Sequence, residues 1–126
     1  MPVVSLIFAT IAALIHVLFF LMESVFWMNP KVHKGFGVKS LEEAAQFKIS
    51  FFNQGFYNLF LAIGVFAGLF LLNGKIAVAG IALILFCCSS MLTAAIVLFF
   101  SKPGMLRGVF IQGLCPLIAI ITWCMK

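Results

Sequence analysis

Two ionisable side chains interrupt the apolar stretch ALIHVLFFLMESVFW at 13–27: His16 and Glu23. They stand seven residues apart. In a regular α-helix, seven steps of 100° fall within about 20° of two full turns, so both side chains share one stripe, separated by roughly 10 Å along the axis. An acid inside a lipid-length helix is costly and reads as functional by default. Such a carboxylate can act as general acid or base with the imidazole as its partner. It can also hold a cationic substrate in exchange for a proton. Direct contact between the two across that rise calls for a bridging water.

Further polar residues fall inside other apolar runs. Asn53, Gln54, Tyr57 and Asn58 lie within a helical wedge of about 140°, as the i,i+4 pairs Asn53–Tyr57 and Gln54–Asn58. Ser89, Ser90 and Thr93 sit together in a third run, and hydroxyls in membrane helices often bond their own backbone. In a fourth, Gln112, Pro116, Ala119 and Trp123 share a face, and Pro116 would kink the helix and free a carbonyl near position 112. Asn and Gln in such bundles can also simply hold helices together.

The chain has 126 residues, 65% hydrophobic and only 9% charged. Soluble domains are about half apolar and about a quarter charged, so the composition predicts an all-α integral membrane four-helix bundle in a single domain. The expected spans are 3–28, 47–72, 75–100 and 105–125, each long enough to cross a hydrocarbon core of about 30 Å. Trp27 stands where an aromatic interface anchor belongs. Asn29–Pro30 stops the first helix, and a loop over 31–40 turns at Gly35 and Gly37. Ser40 followed by Glu43 is a capping-box signature, so a helix is expected to start at Leu41 and become the second span. Gly64-x-x-x-Gly68 marks a close-approach face. Asn73–Gly74 and SKPG at 101–104 are turns. The apolar run at the start has no basic region before it and reads as a retained first span.

Net charge is +5. Lys31, Lys34, Lys39, Lys48, Lys102 and Arg107 lie in or beside the first and third loops, against Lys75 and Lys126 on the other side. This bias places loops 1 and 3 in the cytoplasm and both termini outside, and no pattern for nucleic-acid binding accompanies it. With that topology Glu23, Asn53, Gln54, Thr93 and Gln112 come to a similar depth in the cytoplasmic half of the bilayer, with His16 deeper. Unsatisfied polar groups there cost several kcal/mol each, so an inward-facing cluster is expected. The four cysteines, Cys87, Cys88, Cys115 and Cys124, form no C-x-x-C and read as small packing residues. No cofactor and no metal site is expected; His33, the other histidine, is in a loop.

His16, Glu23 and Trp27, then Phe36 and Gly37, then the N-Q-G-x-Y-N block at Asn53, Gln54, Gly55, Tyr57 and Asn58, then Gln112 and Pro116, form a pattern over nearly the whole chain. It resembles a family of small bacterial four-span membrane proteins catalogued as domain of unknown function 1304. The resemblance implies four helices and a membrane location, and no known reaction. The family pattern carries a second acid just before the histidine and a tyrosine two residues after it. Ile15 and Leu18 stand there in this chain, which weakens His16 as a proton relay.

Two classes of function fit. In the first, a pocket open to the cytoplasmic leaflet of a bacterial inner membrane binds, and moves, a small amphipathic or lipid-like ligand through Glu23, Trp27, Asn53, Gln54, Tyr57, Asn58, Thr93 and Gln112. Membrane lipids are then its neighbours, and an antiparallel homodimer would supply the symmetry of a transporter. In the second, Glu23 and His16 are the catalytic pair of a lipid isomerase or hydrolase, with the amides as a clamp. A third reading is an accessory subunit whose polar cluster only fixes the packing.

Overall fold

A computed structural model of the chain describes residues 1–125. These residues are all-α, with no strand among them. Five helices follow in order: α1 (Val3–Phe20), α2 (Pro30–Gly35), α3 (Leu41–Leu71), α4 (Ala77–Ser101) and α5 (Leu106–Cys124). A π-helical turn, Leu21–Val25, extends α1, and a 3-10 turn, Pro103–Met105, leads into α5. Four of the resulting helical stretches are long and apolar enough to cross a membrane: Val3–Val25, Leu41–Leu71, Ala77–Ser101 and Pro103–Cys124. α3 begins at Leu41 as the capping box requires: Ser40 Oγ accepts from the Glu43 amide at 3.1 Å, and Glu43 Oε2 accepts from the Lys39 amide at 3.2 Å. The helix then runs for 31 residues, about 46 Å at 1.5 Å per residue.

The chain divides into two compact units. One comprises Met1–Ile15 together with the chain from Leu61 onward. It is a bundle of four helical segments: the start of α1, the end of α3, α4 and α5. Lipid tails give helices no hydrophobic reason to associate, so small residues that let backbones close in must hold them. This unit has such residues at its helix crossings. A side chain at Gly80 would stand 2.6 Å from the Gly68 carbonyl oxygen, which fixes the α3–α4 contact. One at Gly113 would stand 2.9 Å from Ala95 Cβ, which fixes α4–α5. Ser5, fully buried, donates from Oγ to the Ala119 carbonyl at 2.7 Å and ties α1 to α5. Pro116 is buried inside α5 between Gly113 and Ala119.

The other unit is His16–Phe60. Its first helix closes at Val25 rather than Met28, because Phe26 caps the π turn with an amide bonded back to Leu21. Asn29–Pro30 ends that segment and also starts a new helix. Asn29 Oδ1 accepts from the Lys31 amide at 3.0 Å, and Pro30 fills the first helical position, where a missing N–H costs nothing. Gly37, at φ 82°, then makes the one left-handed step among the described residues, which glycine adopts without a Cβ penalty.

Trp27 does not sit as an exposed anchor. It is 2% exposed and forms a small core with Val38 and Ala44, flanked by Met28, Val32, Phe36 and Phe51. It stacks on Phe51 with ring centroids 3.8 Å apart, and its Nε1 donates to the Ala44 carbonyl at 2.8 Å. His33 is buried beside it, and its Nδ1 bonds the Val38 carbonyl at 2.7 Å. A carbonyl only accepts, so Nδ1 carries the proton.

Candidate functional site

Glu23 is the middle residue of the π turn. The turn is closed by the Phe26 amide donating to the Leu21 carbonyl at 2.8 Å, an i to i+5 bond. π turns inside α-helices are rare and concentrate at functional positions. What this one achieves is visible in its neighbours. Successive residues of an α-helix diverge by 100°, so at most one of two adjacent side chains normally meets a given partner helix. The wider turn reduces that divergence, and Glu23 and Ser24 both engage α3. Glu23 Oε2 accepts from Asn58 Nδ2 at 2.7 Å. Ser24 Oγ donates to the Phe52 carbonyl at 2.7 Å.

The N-Q-G-x-Y-N block supplies the other side. A Cβ on Gly55 would overlap Ser24 Oγ and lie 3.1 Å from both Ser24 Cβ and the Ser24 amide nitrogen. Glycine therefore sets how closely the two segments approach. Asn58, three residues on, falls on the same face and meets Glu23. Phe20 and Phe56 close the contact edge to face, with centroids 5.1 Å apart. Phe52, Phe56 and Phe60 continue as an aromatic row along α3, at spacings of 5.0 and 6.2 Å.

Glu23 is 5% exposed and Asn58 6%. Among the described residues Asn58 is the single hydrogen-bond partner of this carboxylate, and no cationic side chain is paired with it. A carboxylate offers about four acceptor positions on two oxygens, so most of that capacity is unused. Oε1 makes no hydrogen bond, yet it is not one of the polar atoms that the protein seals off.

His16 is fully buried on α1, with its ring edge against Phe19 at 5.5 Å. The group hydrogen-bonded to Glu23 is Asn58, not His16. Asn53, Gln54 and Tyr57 are exposed on α3, Tyr57 to 62%, so the block's polar wedge splits. Asn58 turns in with Gly55, and the other three turn out. Trp27 lies in its own core with Val38 and Ala44. Thr93 and Gln112 belong to the four-segment unit. Thr93 is exposed and donates to the Ser89 carbonyl one turn back, and Gln112 is half-buried. Among the described residues no three His, Cys, Asp or Glu side chains gather as metal ligands would. The cysteines are free; Cys87 and Cys88 are buried and Cys124 is exposed.

Sequence reasoning missed Ser24 and the part Gly55 plays. Both had a signal. Ser24 adjoins the acid in an apolar run, and Gly55 precedes Asn58 by one helical step of three.

Four helices of membrane-crossing length, with an acid buried near the end of the first, define a multi-pass helical membrane protein. Within that class, the chain matches the family described as protein of unknown function (DUF1304) over residues 10–124, and it belongs to that family. No curated protein and no solved structure matches it.

Proposed function

We propose that the protein binds a small amphipathic molecule within the membrane, at the carboxylate of Glu23. The observation that carries this reading is a buried acid with one neutral partner, held on a π turn. Burying a carboxylate is costly unless it is fully hydrogen-bonded or paired. A structural role would be served better by any of the hydroxyl-to-carbonyl bonds that the chain uses elsewhere, such as that of Ser5. Asn58 suits a site that exchanges what it holds. An amide carries donors and an acceptor on one group, so it can serve the acid in either charge state by turning over.

The basic residues of loops 1 and 3 support a setting in a bacterial inner membrane, with those loops in the cytoplasm and both termini outside. Glu23 then faces the cytoplasmic leaflet, where an amphipathic molecule partitions with its polar end at that depth. A catalytic reading asks Glu23 and His16 to act together, and the hydrogen bond of Glu23 to Asn58 favours binding over it.

The test is mass spectrometry of small molecules that co-purify with the wild type and with Glu23→Gln, at matched thermal stability. Retention of a compound by the wild type and its loss from the variant is expected. Identical complements of ordinary lipids in both preparations would overturn the proposal and leave the acid a packing element.

A further inference from the structure

We infer that the ligand is an organic cation, an amphipathic amine or quaternary ammonium whose charged head pairs with Glu23. This rests on the ligand-binding reading and adds the charge class. Three observations lead to it. The carboxylate is buried, and among the described residues no Lys, Arg or His side chain is paired with it, so a bound cation would supply the missing counter-charge. Its Oε1 is without a hydrogen bond and is not sealed off, so a head group has an oxygen to reach while Asn58 keeps Oε2. The surroundings are aromatic: Phe20 lies on the turn before Glu23, against Phe56, and Phe52 and Phe60 flank Phe56. Aromatic faces attract ammonium groups, and they offer nothing to an anion.

The same inventory disfavours an inorganic cation. Calcium takes six to eight oxygen ligands and magnesium six. One carboxylate and one amide fall far short, and no ligand cluster exists among the described residues. A sugar or another polyol would need several directed hydrogen-bond groups, and the exposed Asn53, Gln54 and Tyr57 do not turn toward Glu23 with Asn58. An apolar tail with one positive head matches what is present.

The experiment is equilibrium dialysis of n-octyltrimethylammonium against the full-length protein in phosphatidylcholine nanodiscs, with binding to empty discs subtracted. The quaternary nitrogen cannot lose a proton, so charge is fixed. The comparison compound is its uncharged carbon isostere, with a tert-butyl head. Saturable binding of the cation is expected, at least tenfold tighter than that of the isostere. Glu23→Gln, which keeps an acceptor for Asn58, should lose that preference, whereas Glu42→Gln, the same charge change at an exposed position, should retain it. Phe56→Leu should weaken the cation more than the isostere. Equal binding of the two compounds would overturn the charge class while leaving the pocket standing. Unchanged cation binding in Glu23→Gln, or no saturable binding by wild type, would overturn the inference at its root.

Discussion

Gly55→Ala sets two well-understood effects against each other. Alanine is favoured over glycine in a helix interior by about 1 kcal/mol, so propensity alone predicts a more stable protein. The packing predicts the reverse. The new Cβ would overlap Ser24 Oγ and come within 3.1 Å of Ser24 Cβ and the Ser24 backbone nitrogen. Oγ can rotate away, at the loss of its bond to Phe52, and such bonds in membrane bundles are worth about 0.6 kcal/mol. The Ser24 Cβ and nitrogen cannot rotate away, so the segments must part, and overpacking of this kind costs about 1–3 kcal/mol. The net expectation is a loss of about 1–2 kcal/mol. Gly108→Ala is the internal control: its nearest contacts would be ordinary ones at 3.6 Å, so there the propensity gain should appear. Unfolding in bicelles, followed by circular dichroism, measures both. Ser24→Gly in the Gly55→Ala background should recover part of the loss, with a coupling on the order of 1 kcal/mol. If Gly55→Ala proves as stable as Gly108→Ala, close approach at Gly55 is not what seats Asn58 on Glu23, and the π turn has no part in bringing Glu23 and Ser24 together onto α3.

Trp27→Phe keeps the stack on Phe51 but removes the donor to the Ala44 carbonyl, and should cost about 1 kcal/mol in the same assay. Ser40→Ala removes the acceptor for the Glu43 amide at the start of α3; a loss of about 1 kcal/mol is expected, along with faster amide exchange over the first turn. Cys124 is exposed whereas Cys87 and Cys88 are buried, so a membrane-impermeant maleimide should modify Cys124 alone until the protein is denatured. Modification of Cys124 in intact cells supports termini outside the cytoplasm, and modification solely in inverted vesicles reverses the topology.

The helices were legible because their signals are local. Ser40 and Glu43 specify the start of α3 within a single turn, and the glycines at 64 and 68 announce a close approach that needs only the absence of a side chain. The site was half legible. Glu23 stands out by cost, and Asn58 by its place in an i,i+4 pair. What the sequence hid is geometry that depends on tertiary contact. The spacing of His16 and Glu23 assumes a regular helix, whereas the π turn arises where Glu23 and Ser24 both bind α3. Asn53, Gln54 and Tyr57 share a wedge with Asn58, yet the position of Gly55 decides which edge of that wedge turns inward. Trp27 looked like an interface anchor because a tryptophan near a helix end usually is one; the aromatic partners that bury it, Phe36 and Phe51, lie across a turn whose fold no local pattern reveals.

The π turn also bears on insertions and deletions. It holds one residue more than the α turn it replaces, so removing one residue within Leu21–Val25 offers the backbone a regular helix with every internal bond kept. Such a deletion should therefore be tolerated by the helix itself and felt by everything after it. Each later side chain would swing by about 100°, and Trp27 would leave its slot against Phe51. The extra residue thus acts as a phase setter, and a one-residue deletion there would harm the protein through orientation rather than through loss of any group.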